Sequence, residues 1–404
     1  MKRYTLISPR SSRLSVTLLA IAISVVVFSV TLWVAVTSPG HAVDFNAYRI
    51  GAELLHADYG LYQTDKLLWQ QIANERNLDP FTGPYRYPIH LAWFLIALRD
   101  VPTEILWMGS ALLNWLAATL GAVILARALG GGVLYPVSIV LVGVSGSLAE
   151  SLLLGQVSGY LFLALCGATV ALKNSSLLPF ASYVAGGTAL KLLPIIFIPI
   201  AIAAGQRKAA VVALLGTAAI FLLPIMAFGS QHLQEYSSSF LATMSLPGMG
   251  TNDYSIKASF SRLGVDEILI NTIRLIVLVL LGSVLTRCFF TTADANKVTA
   301  LASLGISASL LVPTTVFFTY HLYGVIPFLF VISNLISAKK ILCYSLLLSL
   351  YFLVQVAFFL PQVLTRLAPE LVFEGTGPFD WLGVLPTVYA LTLFAASYVY
   401  GLKK

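Results

Sequence analysis

Apolar runs of about 20 residues recur from one end of this 404-residue chain to the other, each long enough for a helix to cross the hydrocarbon of a bilayer. In lipid a backbone must satisfy its own polar groups, so such a chain folds as helices or as a closed barrel. A barrel would alternate apolar and polar residues in segments of about 10, a pattern absent here. A soluble helical solenoid needs polar faces at helical period, and most of these runs have none. Composition agrees: 58% of residues are hydrophobic, 10% are charged, and the mean hydropathy is +0.88. The expected fold is an all-α polytopic membrane protein with about 12 spans and amphipathic interfacial helices in its first outer loop.

The formal charge is +7, much of it in short clusters: Lys2, Arg3, Arg10 and Arg13; Arg207 and Lys208; Lys339 and Lys340; Lys403 and Lys404. These read as positive-inside anchors rather than as a nucleic-acid surface. The first apolar run, 15–36, is too long for the core of a signal peptide and reads as a span. Further spans are expected at 85–100, 103–127, 133–149, 152–172, 176–204, 209–228, 268–286, 298–312, 315–336, 340–360 and 382–401. The 176–204 span is broken at Lys191-Leu-Leu-Pro194. Both termini then lie inside, and one catalytic domain covers 1–404, with long outer loops at 38–85 and 229–267. The second loop could act as a lid over a site. This threading leaves Arg127 and Lys173 outside, against the positive-inside trend, which makes 133–172 a candidate for partly re-entrant structure. Cys166, Cys288 and Cys343 are scattered in apolar surroundings, a pattern of neither disulfides nor a metal site.

Chemistry concentrates where the chain first leaves the membrane, at Asp44-Phe-Asn-Ala-Tyr48-Arg49. A helix starting at Phe45 would make Asp44 its N-cap, and the carboxylate would then only cap. Alternatively Asp44, with Tyr48 one turn on and Arg49 beside it, is a general base for an alcohol acceptor. Phe45, Tyr48, Ala52 and Leu55 would form one apolar face. Leu67, Leu68, Gln71 and Ile72 would form another, beyond the Gly60-Leu61-Tyr62 break; both helices would lie on the membrane surface. Tyr85 and Tyr87 read as an interfacial aromatic belt, while Arg86 between them either snorkels or meets a phosphate.

Inside the apolar runs, Glu150, Gln156 and Lys191 stand out, because ionisable and polar groups are costly in a membrane. Lys191 either snorkels or works in a site. His321 is either a packed core histidine or a partner of the outer-face residues. Asn252, Lys257 and Arg262 lie in the second outer loop, as a solvated surface or as cations and an amide that hold a phosphate or sugar. No Walker A sequence, HExxH or GxSxG is present, which removes the usual ATP-driven transporters, zinc proteases and serine hydrolases. Carboxylates are too dispersed to mark a divalent-metal site, and metal dependence stays open.

Taken together and in order, these stretches resemble glycosyltransferase family 87. The resemblance rests on Asp44 to Arg49 followed by Gly60-Leu61-Tyr62, then Tyr87-Pro88, Gly155-Gln156 and Lys191-Leu-Leu-Pro194. It continues through Asn252-Asp-Tyr-Ser255-Ile-Lys257 with Arg262, and Pro313 through His321. The chain departs from the family pattern at Ile89, at Asn252-Asp253-Tyr254-Ser255, and in having Tyr320 before His321 where a histidine pair is usual. The resemblance implies a GT-C-type membrane enzyme that moves a sugar, mannose in the known members, from a polyprenyl phosphate to a glycolipid or lipid-linked glycan. Transfer would occur outside the cytoplasm with inversion. It implies Asp44 as the base. His321, Lys257, Arg262, Arg86 and Asn252 would lie around the donor phosphate and sugar, and Tyr48, Arg49, Gln156 and Lys191 would shape the acceptor side. Another sugar, such as arabinose or glucose, fits the same chemistry. A polytopic transporter or flippase, or a non-catalytic envelope-assembly subunit, is the alternative from other classes. A transporter requires polar groups at the midplane of several spans, and here polarity concentrates in the two outer loops.

Overall fold

The computed structural model describes residues 9–37, 42–62, 65–76, 78, 85–245, 254–290, 295–313, 318–367 and 384–402. It is 83% helix, with no strand among the described residues. Helix α1 (Pro9–Thr37) carries no charge from Leu14 to Thr37 and presents Leu19, Val26 and Trp33 outward. Next comes α2 (Val43–His56), which is not a surface helix as expected. Residues from Phe45 to Ala52, with Leu54 and Leu55, are buried. Small residues on α2 permit this: a Cβ at Gly51 would lie 2.6 Å from Cδ2 of Tyr85, so the ring sits directly on the helix backbone.

Helix α3 (Lys66–Glu75) is capped by Asp65, whose carboxylate accepts from the Leu67 amide at 2.9 Å. It buries Trp69, Ile72 and Ala73 and leaves Leu67 77% exposed, so its buried face is rotated from the predicted one. The Arg76–Glu53 ion pair, 2.7 Å, ties the end of α3 to α2. Helix α4 (Ile89–Ile96) has 8 residues. Such a helix is about 12 Å long, far short of a bilayer core of roughly 30 Å, so 85–100 is not a span. The turn that follows is held from α2: the Arg49 guanidinium donates to the carbonyls of Leu98 at 2.9 Å, Arg99 at 2.6 Å and Val101 at 3.3 Å.

Because α4 turns back, α5 (Thr103–Ala128) starts at the same end as α2 and runs the opposite way to the sequence expectation. Helices α6 (Leu134–Gly143) and α7 (Gly146–Leu154) return as a pair bent by 45°. Helix α8 (Ser158–Lys173) runs back again, and the Lys173 ammonium donates to the Ala128 carbonyl at the end of α5. Helix α9 (Leu177–Leu190) breaks at Lys191, and a 3-10 turn (Leu193–Ile196) and α10 (Phe197–Ala203) follow. The Gln206 amide then donates to the Leu172 carbonyl at 2.7 Å. The chain therefore returns to the end from which α9 set out, with Lys191 at the tip of the excursion. The break predicted at Lys191 is present, but 176–204 turns back instead of crossing.

Helix α11 (Arg207–Phe228) contains Pro224, which cannot donate to the Ile220 carbonyl; His90 Nε2 meets that carbonyl at 3.0 Å instead. The polar second loop holds α12 (Gln231–Ser245) and α13 (Ile256–Arg262). Apolar helices α14 (Glu267–Phe289), α15 (Ala295–Ser309), α16 (Val325–Ser337), α17 (Ile341–Leu367) and α18 (Leu385–Leu402) complete the bundle. A second 3-10 turn (Phe318–Gly324) leads into α16. Ser333 Oγ donates to the Leu129 carbonyl at 3.1 Å, so the end of α16 lies beside the end of α5. Among the described residues five helices are long and apolar enough to cross a membrane, or six crossings if the bent α6–α7 pair is one. The core, rich in alanine and glycine on α5, α8, α9 and α15, lets these helices approach closely.

Candidate active site

Asp44 does not cap α2. Ala42, with φ of 58°, is the N-cap, and Asp44 lies in the first helical turn. The Ala42 amide donates to the Leu153 carbonyl at 2.8 Å, which fastens the start of α2 to the end of α7. The carboxylate Oδ2 accepts from Gln156 Nε2 at 2.8 Å, and Gln156 Oε1 accepts from Thr319 Oγ1 at 2.9 Å. Asn114, in the middle of α5, holds this turn from behind. Its Nδ2 donates to the Gln156 carbonyl at 2.6 Å, and its Oδ1 accepts from the amides of Gly159 at 2.6 Å and Tyr160 at 3.1 Å. A side-chain chain of Thr319, Gln156 and Asp44 thus links the 3-10 turn before α16, the α7–α8 turn and α2.

Gly155 explains why Gln156 can reach. It ends α7 with φ of +74°, and a Cβ there would lie 2.5 Å from the Cβ of Phe45. Only glycine takes that conformation at little cost while letting α2 pack on the turn. Burial pushes the Asp44 carboxyl above its ordinary value of 3.8, against the lowering pull of the Gln156 amide and the Lys191 charge.

Lys191 reaches the same place from below. Its backbone is extended, and its Nζ stands 4.0 Å from the Tyr320 ring centroid and 5.2 Å from that of Tyr87. The ammonium is held between two aromatic faces and interacts with the Asp44 charge. Tyr85 and Tyr87 are not a lipid-facing belt: they are 1% and 9% exposed. The Tyr85 hydroxyl donates to the Pro88 carbonyl at 2.6 Å and the Tyr62 hydroxyl to the Tyr87 carbonyl at 2.9 Å, which fixes the wall. Tyr48 is buried within it, its ring edge-on to Tyr87 at 4.7 Å.

On the far side, His321 is buried and its ring lies 6.2 Å from Tyr254, edge to face. The Arg262 guanidinium lies 5.8 Å from the Tyr254 ring centroid. Thr387 Oγ1 donates to the Tyr254 carbonyl at 2.8 Å and lies 2.7 Å from Ser259 Oγ, which pins α13 to α18. Of the residues that sequence placed around one site, Asp44, Tyr48, Gln156 and Lys191 converge, with His321 and Arg262 grouped around Tyr254. Three do not join them. Arg49 is occupied by the carbonyls that end α4, Lys257 pairs with Glu267 at 3.0 Å, and Arg86 is exposed. Asn252 lies outside the described residues. Thr319, Asn114 and Tyr320 were not picked out by sequence. Asn114 alone had a signal, a single amide in a long apolar helix. Among the described residues no group of three or more His, Cys, Asp or Glu is placed to hold a metal ion.

The family model for glycosyltransferase family 87 matches residues 85–313, more than half the chain. This chain belongs to glycosyltransferase family 87. No curated protein matches it. The matched stretch includes Tyr87, Gly155, Gln156, Lys191 and Arg262, while Asp44 and His321 lie outside it. In this family 87 member it is the Gln156–Asp44 hydrogen bond that joins the matched body to the first-loop carboxylate.

Proposed function

We propose that this glycosyltransferase moves a sugar, mannose by family resemblance, from a polyprenyl phosphate to a hydroxyl of a glycolipid or lipid-linked glycan, with Asp44 as general base. The observation that carries this is Asp44 itself: one carboxylate oxygen held by Gln156, beside a buried ammonium, at the end of the bundle where α2 and α4 turn back. In the reaction the acceptor oxygen forms a bond to the anomeric carbon as the bond from that carbon to the phosphate oxygen breaks. The electron pair leaves with the polyprenyl phosphate, and the acceptor proton passes to Asp44. Attack opposite the leaving group inverts the anomeric centre. The growing charge on the phosphate calls for fixed cations, and Lys191 and Arg262 are the ones nearest the Tyr87–Tyr254 walls. His321 stands behind Tyr254 on the same side. Lys257 and Arg86 would reach a phosphate only by leaving their present positions.

The whole chain would work as one membrane-embedded catalytic unit, with the site on the extracytoplasmic side. Arg127, Lys173, Arg207, Lys208, Lys339 and Lys340 all fall at the end opposite Asp44, which supports that orientation. The threading derived above puts Arg127 and Lys173 at the basic end, removing the exception left by the sequence expectation. The test is a transfer assay with purified protein and a panel of polyprenyl-phosphate sugars, with and without chelator. Asp44→Asn and Asp44→Ala are expected to be produced and folded but slowed at least about 100-fold, the usual worth of a positioned base. Normal turnover by Asp44→Asn would remove the base from this mechanism.

A further inference from the structure

Glu150 has no task in the scheme above, yet its position is costly. It lies in the middle of α7, whose neighbours Leu148, Ala149, Ser151 and Leu152 are buried. Its Oε2 is sealed from solvent and has no hydrogen-bond partner among the described residues. Buried acceptors are normally satisfied, so an unsatisfied one is a pointer to something that binds there. Its surroundings say where. The Thr319 backbone hydrogen-bonds the Glu150 carboxyl, and Glu150 is within electrostatic range of both Asp44 and Tyr254. It therefore lies close to both the proposed base and the Tyr254 group.

Two bland explanations are weaker. No salt bridge reaches Glu150 among the described residues, and the Lys191 side chain lies against Tyr320 and Tyr87 and interacts with Asp44. Nor does a metal-binding cluster form around it among those residues. What remains is a ligand rich in O–H donors. A carboxylate oxygen that accepts from a hydroxyl makes a strong, directional contact and discriminates against a ligand lacking that hydroxyl.

We propose that Glu150 is a sugar-binding residue, whose Oε2 accepts a hydrogen bond from a hydroxyl of the sugar that occupies the pocket beside Asp44. The inference rests on the proposed glycosyl transfer. It adds the residue that reads the sugar, and the sugar could be the donor's or the acceptor's.

The experiment is a coupling test in the purified full-length enzyme. Donors and acceptors in which single hydroxyls are replaced by hydrogen are compared in wild type, Glu150→Gln and Glu150→Ala. At the contacted position, wild type should lose about 10- to 100-fold in kcat/KM, the range for leaving a buried acceptor unpaired. Glu150→Ala should be slower with the complete substrates and show less than about 2-fold further loss at that one position, because the partner is already gone. Glu150→Gln, which keeps shape and one acceptor oxygen, guards against a fold defect and should show an intermediate loss. Coupling in the donor series assigns the contact to the donor sugar, and coupling in the acceptor series to the acceptor. If both variants show the wild-type loss at every hydroxyl of both series, Glu150 does not read the sugar. A wild-type enzyme that transfers no sugar would overturn the proposed function and this inference with it.

Discussion

A carboxylate's proton affinity is set by its surroundings, and at Asp44 burial and its polar neighbours act in opposite directions. Burial raises its affinity for a proton, while the Gln156 amide and the Lys191 charge lower it. In the proposed role of base, Asp44 would act only when deprotonated, so the raised pKa is expected to set an acid limb in kcat/KM above the ordinary value of 3.8. Activity rises with pH through that limb. Removing the ammonium in Lys191→Met takes away a stabilising positive charge, so the limb should move to higher pH. Lys191→Arg keeps the charge and should leave the limb closer to wild type. A pH–rate profile with one donor checks this, and an unmoved limb in Lys191→Met would separate Lys191 from the base. At this scale the sequence singled out Asp44, Gln156 and Lys191, because polar groups stand out in an apolar chain, and the structure brings the three together. It could not see that Arg49, close to Asp44 in sequence, serves the carbonyls of the turn after α4 instead. Arg49 follows Tyr48 directly, and the helix sends the two side chains to different sides.

At the scale of elements, the site depends on broken helices. Three of its side chains come from places where a helix stops: Gln156 after α7, Lys191 after α9, and Thr319 in the turn before α16. Each break frees backbone and side chain to face the Asp44 carboxylate, and within a membrane irregular backbone persists only where protein covers it or it lines a cavity. The α7–α8 break is the tightest, since Gly155 combines a positive φ with contact to Phe45. Gly155→Ala should therefore cost about 2 kcal/mol or more, the sum of left-handed strain and an overpacked contact. The expected readout is a lower thermal midpoint in detergent together with reduced turnover, because the same shift moves Gln156 away from Asp44. A variant with wild-type stability and turnover would show that the turn tolerates a Cβ. The glycine and proline at these breaks were readable in the sequence. The amphipathic patterns of α2 and α3 misled, because both helices pack against other protein and their faces are set by those partners.

For the whole molecule, the central result is a change of direction. Eight residues of α4 and the returning α9–α10 excursion replace two of the about 12 crossings read from hydropathy; among the described residues five helices are long and apolar enough to span, or six crossings with the bent α6–α7 pair as one. Every helix from α5 to α8 thereby reverses its expected direction, and basic residues gather at one end. Single cysteines introduced at Gly131, Ser175 and Gly205 should be labelled by an impermeant reagent only from the cytoplasmic side. Cysteines at Asp58 and Asp100 should be labelled only from outside. Labelling of Gly131 and Ser175 from outside would restore the original threading and undo the orientation proposed for the site.

Hydropathy by itself determined that the chain is helical and lives in a membrane, since runs of that length and composition have no other stable solution. Isolated polar residues determined which positions could carry chemistry. Tertiary structure alone decided which of them meet. A window of sequence cannot tell an apolar stretch that crosses from one that turns back, because both are buried and equally apolar. The difference lies in contacts between distant residues, such as the Arg49 guanidinium on the Leu98 carbonyl and the Gln206 amide on the Leu172 carbonyl.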